Sequence, residues 1–175
     1  MHQTILAAVS VLVLALVVPT ANAADPKPTE AAAVESGAKL RARYNLPMPS
    51  AEHQVVLYRS YEHYGRSNYS VVLWKDAQGA WQRDRVHVDG PGGLLRDLEL
   101  KIFHLKAPLD PETAGALDTL LAQPSLYTET PIRTGESHHE HYELAIWGPG
   151  GKTTAEWDNE LGGQLGQVVE LMQDK

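Results

Sequence analysis

The sequence predicts an α+β fold, an antiparallel meandering sheet of about six strands with two helices packed on one face. Three observations carry that expectation. Short apolar and aromatic runs recur from Gln54 onward, divided by Gly-, Asp- and Asn-bearing breaks. Most of those breaks are too short for the crossover that a parallel pair requires, so neighbouring strands are antiparallel. Helical periodicity appears in only two stretches of this region, and both come late in the chain.

The chain opens with a segment that does not belong to the fold. Residues 5–18 are an almost unbroken run of Leu, Val, Ile and Ala, followed by Ala21-Asn22-Ala23, an A-x-A cleavage signature. Residues 1–23 are therefore expected to be a signal peptide, although Met1-His2-Gln3-Thr4 lacks the usual positive charge. Export to the periplasm or the medium follows, with no membrane attachment after cleavage. Residues 24–50, rich in Ala, Glu, Pro and Thr, read as a flexible spacer passing into a short helix near residues 31–44. Lys39, Arg41 and Arg43 form a small basic patch there, expected to be solvated. Pro47 and Pro49 close the segment. Residues 51–175 form the expected single domain.

Within that domain the elements follow in order. Residues 54–59 and 69–74 are strand-like, with the polar, aromatic stretch Tyr61 to Asn68 read as the loop between them. Asp76-Ala77-Gln78-Gly79 is a turn. Residues 81–88 alternate, so Trp81, Arg83, Arg85 and His87 share one face and Gln82, Asp84, Val86 and Val88 the other. Residues 98–105 make a fourth strand. Asp110-Pro111-Glu112 starts a helix by capping, by a favoured first-position proline and by charge complementary to the helix dipole. Leu117, Leu120 and Leu121 are its apolar side, and Pro124 ends it. Residues 137–157 form a hairpin, and Asn159 is expected to cap a final helix with Leu161, Leu165, Val168, Val169 and Met172 on one stripe. The hairpin register has two solutions. The preferred one turns Tyr142, Leu144 and Ile146 inward beside Ala155 and Trp157, leaving His139, His141, Glu143 and Trp147 outward.

Composition excludes several functions. The chain has no cysteine, so disulfides, thiol nucleophiles and Cys-ligated zinc are ruled out. A formal charge of −7 argues against nucleic acid as a partner. No serine lies in G-x-S-x-G, and Gly90-Pro91-Gly92-Gly93 and Gly148-Pro149-Gly150-Gly151 are turn chemistry rather than phosphate loops.

Two groups remain as candidate sites. On a strand, His139, His141 and Glu143 project together and could chelate zinc, copper or nickel if a further histidine (His53, His63, His87 or His104) arrived. The same histidines could confer a pH response. Without a further ligand they are simply a polar strand entrance. The second group is Tyr58, Tyr61, His63, Tyr64 and Arg66, with Trp147 on the hairpin, whose composition resembles protein-binding surfaces. The leading expectation is a noncatalytic, exported protein (an inhibitor, immunity-type or envelope accessory protein) that binds a protein partner. The alternatives are a metal-binding protein or metal-dependent hydrolase, and cell-wall carbohydrate binding through Trp81, Trp147 and the tyrosines.

Overall fold

The computed structural model describes residues 32–49, 54–62, 65–91, 100–131, 133–134, 140–158 and 160–173, the backbone alone at 62, 65, 66, 91, 133, 134 and 160. The expected signal peptide, His53, His63, Tyr64, His138, His139 and Asn159 lie outside these residues.

The fold is α+β, as expected. Strands β1 (Gln54–Glu62), β2 (Gly65–Lys75), β3 (Trp81–Pro91), β4 (Lys101–Pro108), β6 (Glu140–Gly148) and β7 (Gly151–Asp158) form one sheet in the order β4-β3-β2-β1-β6-β7. Every neighbouring pair is antiparallel. Two meanders are thus joined side by side where β1 meets β6. A two-residue pair, β5 (Arg133–Thr134) with β8 (Glu160–Leu161), forms a small second sheet.

Alternation decides which side chains meet which helix. One face of the sheet carries Val55, Leu57, Val71, Leu73, Leu144 and Ile146 into the main core. Helices α2 (Pro111–Leu121) and α3 (Gly163–Gln173) cover it with Leu117, Leu121, Leu165, Val168 and Met172. These are the two helices expected on one face. Asp110 Oδ1 accepts from the amides of Glu112 and Thr113 at 3.1 and 2.9 Å, so α2 is capped as its sequence implies. The start of α3 differs from expectation. Leu161 pairs with Arg133 in β8, and the helix begins two residues later, at Gly163 with φ +71°. There the Glu129 carboxylate accepts from the Gln164 amide at 3.0 Å, because free amides at a helix start attract an anion.

The last hairpin takes the preferred register, with Tyr142 opposite Trp157 and Leu144 opposite Ala155. The Tyr142 and Trp157 rings stack at 5.1 Å with 7° between planes, and Trp157 is fully buried. Pro149-Gly150 make the turn. Tyr127 lies over it, so closely that a Cβ at Gly150 would collide with its ring.

The opposite face is covered by a third helix, α1 (Ala32–Ala42). Ala33 packs with Val56, Val72 and Ala145, and Leu40 packs with Val86 and Val88. Gly37 allows the close approach, since a Cβ there would stand 2.9 Å from Ser70 Oγ. The short helix expected near residues 31–44 is therefore present, and it packs on the sheet. Arg41, expected on a solvated patch, is fully buried. Its Nη1 donates to Asp84 Oδ1 at 2.6 Å, its Nη2 to the carbonyls of Asp84 and Ser70 at 2.8 and 3.2 Å, and its Nε to Ser70 Oγ at 3.1 Å. A buried guanidinium needs a carboxylate and several acceptors, and β2 and β3 supply them. Lys39 does stay in solvent, paired with Glu35 one turn back.

Candidate functional site

The structure separates Tyr58, Tyr61 and Trp147, the members of the aromatic group whose side chains are described. The stretch Tyr61 to Asn68 is not an open loop: Tyr61 pairs with Ser67 and Glu62 with Arg66, extending the β1–β2 hairpin. Ladder pairing outweighs the polar composition of these residues. Tyr58 and Tyr61 then point to opposite faces. Tyr58 lies on the α1 side, packed near Leu40 and bonded to Asn68 Oδ1 at 3.2 Å. Arg66 is placed in β2. Trp147 sits opposite Gln54, whereas Tyr61 sits opposite Glu140. That separates the two rings by about 23 Å along the sheet. Trp147 also packs beside Met48 and Val34, so its face is partly roofed by the N-terminal segment.

The histidine strand is likewise less exposed than its alternation implies. Glu143 faces α1, where its Oε1 accepts from Ser36 Oγ at 3.2 Å, and its side chain is 12 % exposed. Its Oε2 is buried with no hydrogen-bond partner among the described residues. His141 lies between two carboxylates, with Nδ1 3.1 Å from Asp158 and Nε2 3.5 Å from Glu143. Among the described residues, no three His, Asp or Glu side chains are grouped to hold a metal. His104 sits on β4, four strands from β6, or about 19 Å away. It is already 3.1 Å from Asp84 Oδ1. His87 projects from the other face and contacts Tyr69 and Phe103. Neither approaches His141 as a further ligand.

A different surface emerges at the β3–β4 end of the sheet. Among the described residues β4 pairs only with β3, so about half of its backbone N–H and C=O groups point away from the sheet. Ile102, Phe103 and Leu105 are 46, 54 and 46 % exposed. Full burial of such side chains contributes about 1.5–3 kcal/mol each, so roughly 1 kcal/mol per residue remains to be gained by covering them. Beside Phe103 and Leu105 runs an open cleft of about 670 Å³, floored by Arg85, His87 and Asp89 of β3. Arg85 lies 5.0 Å over the Tyr69 ring, which holds its guanidinium at the cleft. His87 Nε2 is 2.8 Å from Asp89 and 3.0 Å from Ser67 Oγ.

The other outer strand, β7, is built differently. Its apolar Ala155 and Trp157 are buried, while Lys152, Glu156 and Asp158 face solvent. That is the usual protected edge. β4 has Lys101 and Lys106 but keeps large apolar side chains exposed between them on both faces. The run from Leu100 to Leu105 was legible as a strand, but not as an exposed one. No helix among the described residues is long and apolar enough to cross a membrane. Comparison with protein families, curated proteins and solved structures finds no match to this chain.

Proposed function

We propose that this chain is an exported, noncatalytic binding protein that engages a protein partner along β4 and the adjoining cleft. The observation that carries the reading is the exposure of Ile102, Phe103 and Leu105 on a strand whose outer backbone edge has no neighbouring strand among the described residues. Exposed apolar groups around a strand edge mark an interaction surface more often than an unused one. Export rests on the apolar run and A-x-A site within residues 1–23. The histidines and loop tyrosines are not the centre of this surface.

Site-specific photocrosslinking tests the reading. A photoreactive phenylalanine analogue at position 103, in the full chain expressed in its native host, should give a discrete crosslinked protein band. The same analogue at Thr119, exposed on α2, should not. If position 103 yields nothing beyond what position 119 yields, β4 is not the partner surface.

A further inference from the structure

We infer that the partner segment is an extended, acidic strand that adds to β4 as a seventh strand of the sheet. The inference rests on the binding reading above and specifies what kind of peptide the edge accepts.

The backbone sets the first requirement. An outer strand of eight residues offers alternate N–H and C=O groups to any chain that can lie extended beside it. A helix cannot satisfy that row. The side chains set the second. Phe103 and Leu105 stand on the α2/α3 side of the sheet and Ile102 on the α1 side, so a strand alongside needs apolar residues on both faces at its centre. Exposed Lys101 and Lys106 bracket that centre, one at each end.

Charge sets the third. Arg85 of β3 and Lys101 and Lys106 of β4 are the cations at this edge, against two carboxylates on the same strands, Asp84 and Asp89. Asp84 is compensated by the buried Arg41, which leaves Asp89, 2.8 Å from His87, as the opposing charge on these two strands. This corner is therefore cationic within a chain of formal charge −7. The overall charge would favour a basic partner, but the local field at the edge favours an acidic one. It also disfavours a second copy of this chain, whose own β4 would bring the same lysines to the same edge.

The test uses a fluorescein-labelled peptide, Glu-Glu-Val-Thr-Val-Val-Glu-Glu, titrated by fluorescence anisotropy with the full chain. Two controls accompany it: the same peptide with every Glu replaced by Lys, and the same peptide N-methylated at alternate backbone nitrogens. Saturable binding is expected, at least about tenfold tighter than either control, because charge and main-chain hydrogen bonding both contribute. Phe103→Ala with Leu105→Ala should weaken it about tenfold with an unchanged circular dichroism spectrum. Raising the salt should weaken it further. Equal binding of the Lys peptide, or indifference to N-methylation, overturns the inference. A sedimentation experiment showing a dimer that Phe103→Ala abolishes overturns it in favour of a second copy. If no peptide binds while position 103 still crosslinks a partner, the acidic-strand inference fails and the binding reading stands. If position 103 also crosslinks nothing, both fail.

Discussion

Removing Asp84 should detach α1 from the sheet without unfolding the sheet itself. Arg41 is fully buried, and Asp84 is its only carboxylate contact among the described residues. Breaking a buried ion pair by deleting one partner costs about 3–5 kcal/mol, because the other charge is left without compensation. In Asp84→Ala the guanidinium keeps its bonds to the Asp84 and Ser70 carbonyls and to Ser70 Oγ. The expected cost is thus near the lower end, about 3 kcal/mol. Arg41→Met leaves Asp84 with His104 3.1 Å away and should cost less, about 2 kcal/mol. The double variant should be more stable than Asp84→Ala alone, since it strands no charge, so the coupling should reach about 3 kcal/mol and leave a double-variant cost of about 2 kcal/mol. Urea titrations give these values by tryptophan fluorescence, because Trp74 and Trp147 pack against the N-terminal segment. Hydrogen exchange locates the effect: amides of residues 33–42 should lose protection while those of 142–146 keep theirs. A loss below about 1 kcal/mol in Asp84→Ala, with α1 amides still protected, would refute the argument that this pair fixes the helix.

Other outcomes follow from the same packing. Burial, then the 2.5 Å bond to Glu140, pushes the Tyr142 phenol up to about 12. The fold thus favours the neutral phenol, and stability falls as pH rises from about 10 through about 12. Tyr142→Phe should flatten that alkaline limb in urea midpoints measured across the window. Burial works against ionisation of Asp118, but hydrogen bonds from Lys75 Nζ and Trp81 Nε1 outweigh it and hold the carboxyl below its usual value. Its contribution is present above the unfolded value and is lost as pH falls through the folded one. Asp118 is half exposed, so Asp118→Asn should cost under about 1 kcal/mol at neutral pH and steepen nothing on the alkaline side. Trp157→Ala removes a fully buried ring stacked on Tyr142 and should cost about 3–5 kcal/mol in urea unfolding; a smaller loss would mean the hairpin is not part of the main core.

Some of the molecule was readable residue by residue. The Asp110 cap, the β3 alternation and the inward set Tyr142, Leu144 and Ile146 depend on neighbours in sequence, and each appears as its local pattern implies. The candidate sites were less legible. Tyr58 and Tyr61 share a stretch of sequence but project from opposite faces, because hairpin pairing extends to Glu62 and Arg66. Glu143 looked exposed because nothing near it in sequence shows that Ser36 lies over it, 107 residues away.

Sequence by itself determined the α+β class, the antiparallel hairpins, the helix starts at Asp110 and Pro111, and the absence of thiol chemistry, because these follow from short-range periodicity, capping and composition. Tertiary structure alone decided that Arg41 is a buried anchor, that α1 roofs the second face, and that β4 is an outer strand. The physical reason is the same for all three. Whether a charge is solvated or a strand is paired on both sides depends on which distant segments arrive beside it. Residues 101–108 would read identically in the middle of the sheet, but at its edge they leave Ile102, Phe103 and Leu105 open to a partner.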